Sequence, residues 1–567
     1  MPKIPGVSSA TSTRAPLGAG RGDAKTGANM GAGATAGVTP RGAARTRVAL
    51  GLTLLALAFP SRAALANGSR EVRELRGVSI EAVDDAMFES RASIAEALEF
   101  LERHHVNVVF PEVWYRGVTL HPSRVLQKTF GVPQDPRYVG RDPLAELIVE
   151  AHRRGIEVIP WFGYGFAASS AAHPTTLLQQ KPEWAARDRD GKILEKHGFA
   201  WMNAFDPAVQ EFVSGLMLEV ARNYDVDGLH GDDRLPAMPS IGGYDKITAE
   251  LWHSDKRFPP PTFTDSRWTA WRAGRLTDFL ARLAKDVRGS GPGMMLSLGP
   301  SPYRLGLDEN LQDAKAWTDR ALVDLFHPQC YRRDLAGYQT LVDGQHELVA
   351  RNSRVSFAPG ILIQSGAWTI EPRELVRMVE YNRDRGYAGE VLSHYAGLRA
   401  DDGALARALL AGPYGEPARV PYRSMRWRPK AREITPRPPS SAESWSRERG
   451  HLRAARAGPA EVVYALAAPA TGWFRVFVEI PQVEDLPRSV ECTFVGGDAT
   501  PRSLEVRPGL LEVGAVRLVD DGRLQDGRGR IELHIATAAD ESGRLAVGRA
   551  LLMIDRKRSA DAVWRED

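Results

Sequence analysis

The chain predicts an α/β fold, a (β/α)8 TIM barrel followed by a small C-terminal β-sandwich-like domain. Three observations lead there. Between residues 70 and 400, eight short apolar or β-branched runs alternate with helical stretches. The connections from strand to helix are much longer than those from helix to strand. Past Gly412 the helical pattern ends and only short strands remain. Eight βα units in this span match the barrel in size and order, and a doubly wound open sheet is the competing architecture.

The predicted strands are Arg76–Ile80 (RGVSI), Asn107–Trp114 (NVVFPEVW), Glu157–Phe162 (EVIPWF), Gly228–Asp232 (GLHGD), Met295–Gly299 (MLSLG), Leu322–Tyr331 (LVDLFHPQCY), Arg354–Leu362 (RVSFAPGIL) and Glu390–Tyr395 (EVLSHY). Each is too short for a helix, and most end in Gly, Pro or a polar residue. Between them, apolar residues recur at three- and four-residue spacing, as in Ile94, Ala97, Leu98 and Leu101, or Val209, Phe212, Val213, Leu216, Val220 and Ala221. That spacing predicts amphipathic helices covering a parallel sheet. The long connections Tyr115–Arg141, Gly163–Phe205 and Asp233–Thr264 all come after strands. They point to a site at the C-terminal strand ends, where barrel enzymes carry their chemistry.

The flanks divide the chain further. Residues 1–66 read as a disordered leader plus signal peptide: Arg41, Arg45 and Arg47 precede the apolar run Val48–Phe59 and an A-x-A site at Ala64–Ala66. The run is too short to span a bilayer, so an exported protein, periplasmic or extracellular, without a transmembrane anchor after cleavage is expected. The barrel is assigned to 67–412, a Pro-rich linker to 413–444 and a β-rich accessory domain to 445–567. In that last stretch Glu461–Leu466, Gly472–Ile480, Ser489–Phe494, Leu511–Leu518, Gly529–Ile535 and Arg549–Asp555 read as strands between turn residues.

A formal charge of +4 over 567 residues, with no Lys/Arg block interleaved with aromatics, excludes nucleic acid as the expected partner. Two cysteines, Cys330 and Cys492, do not make a disulfide framework. No metal-ligand spacing or cofactor motif is present.

The densest chemical signal surrounds strand four, in Tyr224–Arg234 (YDVDGLHGDDR). Alternation places His230 and Asp232 on one face, with the Asp232 carboxylate at the mouth. Adjacent Asp232 and Asp233 would have their pKa values pushed apart by burial and repulsion, and a pair that caps the next loop is the competing reading. Asp227, at the strand's start, reads as structural. Glu112 ends strand two, and two facing carboxyls are the minimum for glycoside hydrolysis. A salt bridge from Glu112 to Arg116 is its alternative role. Glu81 and Asp84 after strand one are further acidic candidates, and His173, His230 and His327 lie near strand ends. Aromatic residues gather there too, among them Trp114, Trp161, Tyr331 and Tyr395, and aromatic planes pack on the C–H faces of sugars.

The runs RGVSIEAVDD, VNVVFPEVWYRGVTLHPS, DPLAELIVEAHRRGIEVIPWFGYGF, WMNAFDPAVQEFV, YDVDGLHGDD with GGYD after it, LSLGPSP and PQCYRRDL resemble the bacterial glycosyl hydrolase-like family ten over about residues 72–400. The resemblance implies a barrel in exported or envelope proteins and glycosidase activity on peptidoglycan glycan strands. It matches Asp232 and Asp233 to a paired acid after strand four, Trp114 and Arg116 to the strand-two motif, Asp84 to a polar position after strand one and Tyr331 to the Tyr ending strand six. Two positions depart from the family's pattern: Gly163 stands where an acid follows P-W-F, and Glu112 replaces a neutral residue. The partner of Asp232 is thereby left open. A chitinase-like arrangement is disfavoured because its acid would fall on Arg234, and an α-amylase-like one because LSLGPSP lacks the strand-five acid.

The expectation is therefore an exported glycoside hydrolase on polysaccharide, with Asp232 as nucleophile or stabiliser, Glu112 as general acid and Asp233 beside them. Asp84, Trp114, Arg116, Trp161, His230, Tyr331 and Tyr395 would bind substrate. The alternative is a glycan-binding protein without turnover, and no cofactor or metal is called for.

Overall fold

The computed structural model describes residues 71–559 apart from 83–85, 171–173, 350–353, 424–426, 438–444, 468–469, 497–499, 519–530 and 539–540. The predicted leader and signal peptide lie outside the described residues, as do Asp84 and His173.

The α/β expectation holds. Eight parallel strand stretches occur in order: β1 Leu75–Ile80, β2 Val108–Pro111, β3 Glu157–Val158, β4 Gly228–Gly231, β5 Met295–Leu298, β6 Leu325–Phe326, β7 Ser356–Phe357 continuing as Gly360–Leu362, and β8 Gly389–Ser393. β8 pairs with β1, β1 with β2 and β2 with β3, while β4, β5, β6 and the first part of β7 pair in sequence. The second part of β7 pairs with β8, and a parallel bridge from Trp161 to His230 joins β3 to β4. Each strand thus pairs with the next, and β8 returns to β1. At that return Gly389 has φ +128°, and a Cβ there would lie 1.9 Å from the Leu75 carbonyl oxygen, so only glycine permits the approach.

Helices alternate with the strands: α1 Arg91–Arg103, α2 Pro143–His152, α3 Pro207–Asn223, α4 Ser266–Gly289, α5 Ala314–Asp319, α6 Leu335–His346, α7 Pro372–Asp384 and α8 Tyr395–Ala411. Their starts are chemically marked. Ser90, Asp142, Asp206, Asp265, Asp313 and Asp334 each accept a backbone N–H of the first turn, satisfying donors the helix leaves orphaned. In α3 the predicted stripe Val209, Phe212, Val213, Leu216, Val220 and Ala221 is buried. Val78, Ile80, Val109 and Val158 join the main core, whereas Leu75, Val108, Phe110, Ile159, Trp161, Met295 and Leu325 form a second cluster. This is period-two alternation with both faces buried, as parallel strands require.

Beyond these elements Ala418–Arg419 pairs parallel with Val72–Arg73, and the sheets that follow are antiparallel. Two four-stranded sheets form: Arg432–Ile434, Ala550–Ile554, Gly472–Ile480 and Gly509–Leu518 in one, Glu461–Leu466, Ile531–Ala536, Ser489–Val495 and Arg502–Glu505 in the other. They share an apolar cluster that includes Tyr464, Phe474, Val476, Cys492, Phe494 and Leu533. Both cysteines are free and buried. Among the described residues no helix is long and apolar enough to cross a membrane.

The N-terminal strand ends carry a buried ionic cluster. Asp227, fully buried, accepts from Trp427 Nε1 and Arg428 Nε, both at 2.6 Å, and from Val158 N at 2.8 Å, with His152 Nε2 at 3.0 Å. Arg428 also binds Asp225, and Arg423 and Tyr422 reach Glu157. Asp227 therefore belongs to the framework. Its guanidinium and indole partners come from the Pro-rich stretch assigned to 413–444.

Candidate active site

At the opposite strand ends the sequence alternation of GLHGDD places His230 and Asp232 in a cleft. β4 is buried throughout, and Asp232, one residue past it, is 4% exposed. Its carboxylate accepts from Trp161 Nε1 at 2.9 Å, from the Arg234 backbone N–H at 3.0 Å and from Arg234 Nη2 at 3.2 Å. Burial raises its pKa to about 7, and Asp233 adds to that; Arg234 and the Trp161 hydrogen bond oppose the rise. Asp233 is half-buried and pairs with Arg234 Nη1 at 3.3 Å.

Glu112 comes directly after β2 and extends its pairing to Trp161. One carboxyl oxygen accepts the Ala82 backbone N–H at 3.3 Å. The other lies 2.3 Å from where a Cβ on Gly163 would be, so the carboxyl occupies the volume that any side chain at 163 would enter. Burial, then the nearby Glu81, raises the Glu112 pKa to about 8, against Arg234. Among the described residues no ion pair joins Glu112 to Arg116; the cation acting on it is Arg234, whose Nε donates to the Gly163 carbonyl at 2.5 Å. Arg234 thus pairs with Asp232 and Asp233 and opposes the rise at Glu112.

The cleft brings together Trp161, His230, Asp232 and Tyr331 among the expected residues, whereas Glu112 is buried outside its lining. His230 shares a 2.8 Å hydrogen bond with Ser297 Oγ through Nδ1, and burial followed by the neighbouring His327 keeps the ring neutral. Tyr331 OH lies 2.9 Å from Ser393 Oγ, and burial keeps the phenol protonated.

Two expected sugar contacts are elsewhere. Trp114 is wholly buried, donating to the Gly165 carbonyl at 3.1 Å and meeting Phe212 edge-on, so it packs the core. Tyr395 opens α8 and meets Phe100 of α1 edge-on, because the chain turns into a helix there and carries the ring away. Arg116 sits in a hairpin between Trp114–Tyr115 and Val118–Thr119, with φ 46°. Ser79, Gln329 and His394 line the cleft and were missed by sequence reasoning. The available signal was positional: each stands at or just past a strand's C-terminal end, but none is a carboxylate or an aromatic of the kind that packs on sugars.

Known glycosyl hydrolases are similar to this chain in sequence. Glycosyl hydrolase DigH of Escherichia coli K12 is 25% identical over 278 residues, covering 44% of this chain and 60% of that protein. The chain thus spans less than two thirds of the length of that relative. Glycosyl hydrolase YngK of Bacillus subtilis 168 is 23% identical over 422 residues, covering 64% of this chain and 77% of that protein. Among solved structures, the PgaB glycoside hydrolase domain from Bordetella bronchiseptica aligns over 59% of this chain and 99% of its own, with 14% identity and a TM-score of 0.45. The catalytic domain of a β-amylase from Paenibacillus polymyxa aligns over 60% and 99%, with 12% identity and a TM-score of 0.45. The sequence profile of one family matches residues 74–367, more than half the chain, and this protein belongs to that family, glycosyl hydrolase-like 10.

Proposed function

We propose that this protein is an exported glycoside hydrolase acting on a polysaccharide, with peptidoglycan glycan strands as substrate. One observation carries the reading: two buried carboxyls, Asp232, paired with Arg234, and Glu112, set against Gly163, stand at the C-terminal ends of parallel strands. We read the cycle of eight parallel strands as a (β/α)8 barrel, in which that end is the catalytic face. The antiparallel sheets beyond it read as a β-sandwich accessory domain.

The roles derive from the environments. Glu112, its pKa at about 8, holds its proton at neutral pH and donates it to the leaving glycosidic oxygen. Asp232, gripped by three donors, is the carboxyl whose charged form is supported, and it attacks or stabilises the anomeric carbon as positive charge develops there. Two neighbouring carboxyls, one held protonated and one whose ionised form is hydrogen-bonded, are the equipment for acid and nucleophile. The Trp161 ring, neutral His230 and Tyr331 supply a sugar-packing face and polar edges.

The peptidoglycan assignment rests on the motif resemblance and on the basic, apolar, A-x-A leader, which would deliver the chain to the wall. Binding without turnover is motivated by the missing acid at Gly163, yet the Glu112 carboxyl fills that volume.

The test is release of reducing ends from peptide-stripped peptidoglycan strands by the purified protein, beside Asp232→Asn and Glu112→Gln. Each folded variant is expected to lose at least about 100-fold in rate. Strand binding by the wild type without new reducing ends would instead establish a binding protein.

A further inference from the structure

The floor of the cleft carries a hydrogen-bond acceptor that the hydrolytic roles above leave unused. His327, Gln329 and Tyr331 follow β6 at two-residue spacing and all line the cleft, as alternate residues of an extended segment share a face. His327 stands nearest to β6 and so lies deepest of the three. Its ring reaches the inside of the strand cycle. There it meets Phe110 of β2 edge-on, with ring centroids 5.4 Å apart, and lies 5.8 Å from the ring of His230 of β4. One contact fixes the tautomer: His327 Nδ1 lies 2.8 Å from the Ala358 carbonyl oxygen, which can only accept, so Nδ1 carries the hydrogen. Burial pushes the imidazole pKa down to about 4, which leaves the ring neutral and Nε2 with a bare lone pair. That nitrogen lies across the ring from Nδ1, is buried, and has no hydrogen-bond partner among the described residues. His327 as a whole is 3% exposed. A buried acceptor without a donor is costly, and the donor it needs can come from what enters the cleft. Gly299, just past β5, keeps the adjoining wall open, since a Cβ there would lie 3.2 Å from His230 Cε1 and 3.3 Å from the His327 carbonyl oxygen.

We propose that His327 is a specificity-determining residue whose Nε2 accepts a hydrogen bond from one neutral hydroxyl of the sugar bound against Asp232. The proposal rests on the glycan-cleft reading and deepens it. An uncharged, acceptor-only atom offers nothing to a carboxylate or phosphate, and the His230 ring beside it is neutral too. The floor therefore selects an uncharged hydroxyl over an anionic substituent. A sugar that lacks this hydroxyl leaves the nitrogen unpaired, which is how a buried polar group rejects an analogue more strongly than an apolar pocket does.

The experiment is titration calorimetry of the full chain and of His327→Asn with glucose, galactose and N-acetylglucosamine and with the single-deoxy analogues of each. Asparagine keeps a side-chain N–H for the Ala358 carbonyl and has no acceptor where Nε2 stands. His327→Phe, which keeps the volume of the ring, is a second variant with the same expectation. In the wild type, one deoxy analogue should bind about 10-fold more weakly than its parent sugar. In either folded variant the two should bind alike, which ties one hydroxyl to one nitrogen in a way that general loosening of the fold would not. An unchanged ratio of parent to analogue for every sugar in wild type and variants would overturn the proposal, and so would the failure of all the parent sugars to bind the wild type. No bond is cut in these titrations, so they stand apart from turnover. Loss of the discrimination in the variants supports the subsite even if no glycan strand is hydrolysed, and its persistence overturns the subsite even if strands are hydrolysed.

Discussion

Glu112 costs the fold stability for the sake of its proton. The unfolded chain releases that proton near the ordinary carboxylate value of 4.5, whereas the folded protein holds it to about 8. Between those values the native state binds more protons, so stability falls as pH rises. Glu112→Gln removes the dependence. Its melting temperature should match the wild type near the low end of that window and exceed it by a growing margin up to about pH 8, as scanning calorimetry across pH would show. Catalysis should obey the opposite logic. Activity should rise as Asp232 ionises near 7 and fall as Glu112 loses its proton near 8, a narrow bell in kcat/KM. Gly163 matters for space. A methyl group there would lie 2.3 Å from a Glu112 oxygen, so Gly163→Ala should displace the acid and cost roughly 100-fold in kcat with the fold retained by circular dichroism.

At the scale of elements, the two ends of the parallel strands have different chemistry because different loops feed them. The C-terminal ends open into long connections and hold Asp232 in a cleft, with Glu112 buried at the end of β2. The N-terminal ends are sealed by Asp225, Asp227 and Glu157 against Arg423, Trp427 and Arg428. Removing one member of a buried pair leaves the other charge uncompensated, which costs about 3–5 kcal/mol. Arg428→Leu should therefore lower the urea midpoint sharply while leaving the activity of each folded molecule unchanged. Equal stability of the variant and the wild type would show the cluster to be dispensable. Asp227 and Asp232 lie in one short motif, yet one closes the framework and the other faces the cleft, since each sits at an opposite end of β4.

Across the whole molecule, the stretch assigned to 413–444 links the parallel strands to the antiparallel sheets and supplies side chains that the parallel strands need. A chain ended at Gly412 would strip Asp225, Asp227 and Glu157 of their cationic partners. It should express as an insoluble or readily proteolysed product, and a stable, folded fragment would refute this. The alternation of strands and helices and the position of Asp232 were legible in the sequence because side-chain periodicity is local. Trp161, His230 and Tyr331 were legible as strand-end residues, whereas Trp114 and Tyr395 obeyed the same signal and pack elsewhere. The sequence alone determined an α/β order with acids after strands, since side-chain period and turn chemistry act over a few residues. Only the tertiary structure decided that Glu112 fills the space left by Gly163, that Arg234 pairs with Asp232 while donating to the Gly163 carbonyl, and that Arg428 closes on Asp227. Burial, charge partners and shared volume arise only when distant segments pack together.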